Sequence, residues 1–225
     1  MILHTNYLTA ITMMNDKSVD LVMTDPPYKV ISGGNKSPGR PVGILSENDG
    51  KIFEHNDVDM EVAFKEMYRV LKDDAHIYIM TNFLNMRKFC DLMEKAGFKI
   101  HNLLVWEKNN CTPNRWYMKN CEYTIFARKG KAKTINLPGS KTVHQFDNII
   151  GNKNHPTEKP VELIKFYIEN STNEGDIVLD PFMGGGSCAV ACRDTKREFI
   201  GFEIDPKHFN TTKERLEMKT LENLL

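Results

Sequence analysis

Apolar positions along this chain follow two alternating patterns. Short continuous runs end at turn-forming residues, and longer stretches repeat at helical spacing. Residues 2–4 predict a short strand, after which Leu8, Ile11 and Met14 mark one face of a helical stretch. Residues 19–24 (VDLVMT) form a nearly unbroken apolar run, as expected of a strand covered on both faces in a parallel sheet. Pro26-Pro27 ends it, because proline has no N–H to give a ladder. Helical spacing returns over 58–71 through Val62, Phe64, Met67, Tyr68 and Leu71. A strand at 76–80 follows, then a helix over 85–96 closed by Gly97. Residues 103–106 and 123–127 predict two more strands. Val161, Leu163, Ile164, Tyr167 and Ile168 give the apolar face of a helix over 160–171, with Pro160 suited to its first turn. A strand at 176–179, a helix from Ser187 to about Thr195, a strand at 199–202 and a charged helical tail from Pro206 complete the pattern.

Two stretches lack periodicity. Residues 29–57 carry Gly33-Gly34, Pro38-Gly39 and Asn48-Asp49-Gly50, and residues 128–154 carry Lys129, Lys131, Lys133, Lys141 and Lys153. Loops of that length are uncommon and tend to be functional. The alternation of strands and helices predicts an α/β fold: a mostly parallel sheet with helices on both faces, binding ligands at the carboxyl ends of its strands. The loops at Asp25 and Asp180 both leave such ends. At 225 residues the chain suits one domain, 1–225.

Composition changes little in this picture. The chain is 40% hydrophobic and 27% charged with a formal net charge of zero, which describes an ordinary folded protein. Nucleic-acid binding stays open, but any basic surface must be local. Five cysteines without a paired framework suit reduced thiols in a cytoplasmic setting. Cys188 and Cys192 fit small buried side chains better than metal ligands, so no metal site is expected. Neither a signal peptide nor a membrane-length apolar run is visible.

The candidate chemistry lies in the two strand-end loops. Asp180-Pro181-Phe182-Met183-Gly184-Gly185-Gly186-Ser187 is a glycine-rich turn between a strand and a helix, where backbone can approach a ligand closely. It lacks the Gly-Lys-Ser/Thr of a phosphate loop and the spacing of dinucleotide sites. Glu203, at the end of the next strand, is placed to accept ribose hydroxyls; alone it would read as a solvated acid. Together the two features suggest an adenosine-containing ligand. Asp25-Pro26-Pro27-Tyr28 suits methylation of an exocyclic base amine. The nitrogen lone pair of such an amine is delocalised into the ring, so acceptors must draw its protons out. The Asp25 carboxylate and the Pro26 carbonyl can do so, with Pro27 helping to fix the backbone and Tyr28 offering an aromatic face to a base taken out of its stack. A plain strand-end turn explains Asp-Pro but not the whole set.

These residues resemble the amino-methyltransferases of DNA, whose catalytic motif reads (Asp/Asn/Ser)-Pro-Pro-(Tyr/Phe/Trp) and whose cofactor motif often reads Asp-Pro-Phe-x-Gly-Ser-Gly-Thr. Here Gly185 replaces the Ser and Ser187 the Thr. His155-Pro156-Thr157-Glu158-Lys159-Pro160 resembles the family's third cofactor element. The catalytic motif precedes the cofactor motif, as in the β-class, so the resemblance implies a circularly permuted Rossmann-like fold and S-adenosylmethionine as cofactor. It further implies that Asp180, Pro181, Phe182, Gly184, Gly186 and Ser187 surround that cofactor beside Asp25. Glu203 would hold its ribose, Asn6 would lie near its adenine, and Thr157 and Lys159 near its carboxylate. For Lys159, a solvated cation before a helix is the competing reading.

The implied activity is site-specific methylation of adenine N6 in flipped-out double-stranded DNA, in the restriction–modification manner. Cytosine N4 is the alternative, and an RNA or a protein amide a more distant one. Cytosine C5 chemistry is disfavoured because no cysteine follows a proline. Loops 29–57 and 128–154 are expected to face DNA, the latter as a small target-recognition region whose lysines hold phosphates. Arg115 and Trp116 are further candidates, although Trp116 equally suits the core. A monomer or homodimer without an obligate partner, in the cytoplasm of a bacterium or of an infected bacterial host, completes the expectation.

Overall fold

A computed structural model describes residues 1–27, 58–112, 116–149 and 158–222. Eight strands form one sheet: β1 (Ile2–His4), β2 (Val19–Thr24), β3 (Leu71–Thr81), β4 (Lys99–Thr112), β5 (Lys119–Arg128), β6 (Val143–Gln145), β7 (Ile177–Asp180) and β8 (Glu198–Glu203). Their order is β1-β8-β7-β2-β3-β5-β4-β6. The first five run parallel. β5 is antiparallel to both β3 and β4, and β6 lies parallel to β4 at the edge. The helices are α1 (Tyr7–Thr12), α2 (Met60–Val70), α3 (Phe83–Ala96), α4 (Val161–Ser171), α5 (Ser187–Asp194) and α6 (Pro206–Glu222).

Strand side chains point alternately to opposite faces, and the two faces carry separate cores. Val22, Ile77, Ile79 and Leu179 pack with α1, α2 and α3. Leu21, Met23, Tyr78, Met80 and Val178 pack with α4 and α5. This two-sided burial is why residues 19–24 read as an apolar run instead of an alternating one. Helix boundaries follow local chemistry. Asp59 caps α2 by accepting from the Glu61 and Val62 amides, Asn82 caps α3, and Gly97 closes α3 at φ 107°. No helix among the described residues is long and apolar enough to cross a membrane.

The region 128–154 departs from the expectation of irregular structure and phosphate-holding lysines. Val143–Gln145 is an edge strand. Three residues with a single apolar side chain carry no periodic signal; pairing with β4 makes the strand. Lys129 is buried and donates to the Tyr68 and Leu71 carbonyls, 2.7 Å each, so it is no phosphate ligand. Because β5 runs antiparallel to β3, it ends with Arg128 beside His76. That is the end of the sheet opposite Asp25. Lys131 and Lys133 follow there: the Lys133 carbonyl lies 3.1 Å from His76 Nε2. The chain regains the Asp25 end only along β6, after which Asn148 bonds Asn109 and Asn110. Loop 29–57 lies outside the described residues.

Candidate active site

β2 and β7 are neighbouring parallel strands, so their carboxyl ends bring Asp25 and Asp180 together at the point where the chain departs in opposite directions. Thr24 Oγ1 donates to Asp180 Oδ1 at 2.6 Å and ties the two loops. The same oxygen accepts from the Phe182 amide at 3.1 Å. Burial pushes the Asp180 carboxyl up to about 7; the Thr24 and Phe182 bonds oppose this, while the nearby Asp25 and Glu203 charges add to it.

Asp25 uses one oxygen and not the other. Oδ2 accepts from Lys159 Nζ at 2.5 Å. Oδ1 is buried without a hydrogen-bond partner among the described residues. Burial raises the proton affinity of Asp25, the Lys159 ammonium counters it, and Glu122 on β5 raises it further. Lys159 is itself buried and stands 3.4 Å from Glu122 Oε2. The solvated-cation reading of Lys159 is therefore wrong: residues 158–160 pack inward just before α4, with Pro160 at the N-cap position of that helix and not in its first turn.

The glycine turn is braced from outside. Gly186 caps α5 at φ 79°, and a Cβ there would stand 2.6 Å from the Thr212 side chain. Thr212 donates to the Gly184 carbonyl at 2.9 Å. Arg215 donates to the Gly185 carbonyl and pairs with Glu158 at 2.8 Å. Glu203 joins the turn to its neighbour strand: Oε2 accepts from the Gly184 amide and Oε1 from the Asp205 amide, 2.8 Å each. β1 pairs with β8 at His4 and Glu203, which brings Asn6 to the same corner. There the Asn6 side chain caps α1 through the Leu8 amide. Phe182 packs on Tyr7 with ring centroids 4.8 Å apart.

These elements border a cleft that opens to solvent. Asp25, Lys159, Asp180, Phe182, Gly184 and Ser187 line it. Pro26, Pro27, Pro181, Gly186, Asn6 and Glu203 stand behind or beside the lining. Tyr28 and Thr157 lie outside the described residues. The sequence reading missed Thr24, Glu122, Thr212 and Arg215, and named Glu158 only as part of the motif at 155–160. Thr24 adjoins the catalytic motif and was within reach; the others act on residues far away in the chain and leave no local signal.

Beside β3, the β4–β5 hairpin reaches past the end of the sheet that carries Asp25. Tyr123 pairs with Thr81, so residues 119–122 continue past the end of β3, roughly 14 Å at about 3.4 Å per residue. Near its tip Trp116 is 78% and Tyr117 94% exposed, which removes the core reading of Trp116; Trp106 fills that role.

The model of the N6_N4_Mtase family, described as DNA methylase, matches residues 19–214. The chain is 28% identical over 244 residues to the type II methyltransferase M2.DpnII of Streptococcus pneumoniae, with 99% of this chain and 91% of that protein covered. It is 28% identical over 237 residues to M.HpaI of Haemophilus parainfluenzae, with 94% and 72% covered. The solved structure of the M1.HpyAVI–SAM complex matches with a TM-score of 0.73 at 26% identity, covering 96% of this chain and 98% of that one. The cytosine-N4-specific PvuII DNA methyltransferase matches with a TM-score of 0.73 at 19% identity, covering 95% and 85%, a likeness of fold alone.

Proposed function

Since this chain belongs to the DNA methylase family of N6 and N4 amino-methyltransferases, we propose that it methylates adenine N6 at specific sites in double-stranded DNA, with Asp25 as the acceptor that shapes the amine. The observation that carries this reading is the buried Asp25 Oδ1, which has no partner among the described residues while Oδ2 is anchored by Lys159. An orphaned buried acceptor is costly unless a ligand completes it. An exocyclic amine does so by donating a proton, with the Pro26 carbonyl as second acceptor. Asp25 acts by hydrogen bonding: it draws electron density onto the nitrogen and receives the surplus proton afterwards.

The cleft suits S-adenosylmethionine, which supplies a methyl group on a sulfonium. The donor set fits: two carboxylates, Asp25 and Asp180, flank the space a cationic ligand would take, and the Phe182 ring lines it. Asp180 would hold the amino group, and Glu203 the ribose hydroxyls. Both Glu203 oxygens already accept backbone amides, yet each keeps a second lone pair. Pro181, Gly184, Gly186 and Ser187 give the turn its close approach, and Asn6 borders the adenine end. Thr157 would bind the carboxylate. We reassign Lys159 from that carboxylate to Asp25, where its ammonium is committed. Trp116 and Tyr117 on the overhanging hairpin face the duplex, because a base delivered to Asp25 stays tied to its strand just above the cleft.

Purified protein incubated with labelled S-adenosylmethionine and duplex DNA, followed by digestion to nucleosides, tests this. The expected product is N6-methyldeoxyadenosine. N4-methyldeoxycytidine would instead establish the cytosine reading, for which the PvuII likeness offers the same fold. Asp25→Ala should abolish transfer while cofactor still binds.

A further inference from the structure

Asp25 is the end of a row of four alternating charges supplied by four separate segments. Lys108 on β4 stands 3.2 Å from Glu122 Oε1 on β5. Glu122 Oε2 stands 3.4 Å from Lys159, ahead of α4. Lys159 stands 2.5 Å from Asp25 Oδ2, after β2. Three of the four are polar side chains with no place in the cofactor contacts, and all are at least two-thirds shielded from solvent.

We propose that Glu122 is a positioning residue for methyl transfer, acting through Lys159 to set how strongly Asp25 holds the substrate amine. This rests on the reading of Asp25 as the amine's acceptor.

The argument is one of shared charge. An ammonium paired with Asp25 alone would anchor Oδ2 but draw off much of the carboxylate's negative charge, weakening Oδ1 as an acceptor. With Glu122 on its other side, Lys159 divides its charge between two carboxylates, so Asp25 is held in place without being fully neutralised. Lys108 limits the opposite failure. By occupying Glu122 Oε1 it prevents Glu122 from taking Lys159 for itself, and it is steadied over the Trp106 ring, 5.7 Å from the centroid. Burial works to raise the Glu122 carboxyl, but Lys159 and Lys108 together hold it below its usual range, so it stays ionised while Asp25 is the weaker acid. Other charges nearby are engaged elsewhere: Asp180 with Thr24, Glu203 with backbone amides, Glu158 with Arg215.

Two variants shift the row in opposite directions. Glu122→Gln keeps the shape and removes the charge, leaving Lys159 to Asp25. At saturating cofactor and DNA, kcat should fall roughly tenfold, and the acid limb of its pH profile should move to lower pH. Lys108→Gln frees Glu122 to compete for Lys159 and should move the limb to higher pH. In a Lys159→Gln background both changes should move the limb less, because only the direct repulsion between Glu122 and Asp25 is left. A limb unmoved in both single variants, or one that moves equally without Lys159, would overturn the proposal; lower kcat with an unshifted limb would mean a structural role only. If Glu122→Gln does not fold, the sign of the Lys108→Gln shift decides. Loss of transfer in Asp25→Ala alongside normal Glu122→Gln kinetics would sink this inference and leave the assignment of Asp25 standing.

Discussion

Asp180 shows how a single residue can carry a measurable signature. Its carboxyl, pushed up to about 7 by burial, holds a proton in the folded protein that the unfolded chain releases near pH 4. Between those values the folded state binds more protons, so stability should fall as pH rises through this window. Asp180→Asn should flatten that slope in thermal melts. A cationic ligand favours the ionised carboxylate, so S-adenosylmethionine affinity should increase from pH 5.5 to 7.5 in calorimetry, and much less in Asp180→Asn. An affinity independent of pH in the natural protein would show that Asp180 does not face the cofactor's amino group. Gly186 carries a second signature. At φ 79°, with Thr212 where a Cβ would go, Gly186→Ala should cost roughly 1–3 kcal/mol and weaken cofactor binding. Chemical denaturation with and without cofactor measures both. The consecutive motifs at Asp25 and Asp180 were legible because their chemistry sits in adjacent residues. Glu122 and Arg215 were not, because each acquires meaning only from a partner brought close by folding.

Among the elements, the carboxyl ends of β2, β3 and β7 lie within a residue of where the apolar pattern put them, but β3 begins earlier, at Leu71, and the hairpin strands run long. Residues 103–106 and 123–127 announced two strands, but β4 and β5 run well beyond those apolar cores through polar residues such as Asn109, Asn110 and Asn120. Polar residues extend a strand when its partner supplies the ladder, and no apolar periodicity marks such an extension. Their overhang carries Trp116 and Tyr117 beyond the end of β3. Replacing both with alanine should raise the KM for duplex DNA several-fold to tenfold or more, since a base–aromatic stack contributes about 1–3 kcal/mol. Cofactor affinity and melting temperature should hardly change, because neither ring is packed into the core. Equal DNA kinetics for the double variant would remove the hairpin tip from the interface.

Across the molecule, zero net charge and the burial or remoteness of Lys129, Lys131 and Lys133 leave little of the 128–154 region to contact DNA. The described residues after β6 lie at the end of the sheet that carries Asp25, where Asn148 bonds Asn109 and Asn110. A small recognition surface predicts a short or relaxed target, and mapping of methylated positions on random-sequence DNA tests it: a long, strictly required site would contradict the reading. Phosphate contacts still predominate in any duplex complex, so affinity should drop steeply with added salt.

By itself the sequence determined the α/β class, the order of its two motifs, and the two strand-end loops that line the cleft. Strand burial and motif chemistry are written in neighbouring residues, where pattern and composition suffice. Tertiary structure alone decided which lysine serves Asp25, which lysines turn away from the cleft, and that Lys108, Glu122, Lys159 and Asp25 form one row. A charge has no fixed role in a sequence. Its energy depends on distance and burial, and those are set only when strands far apart in the chain lie side by side.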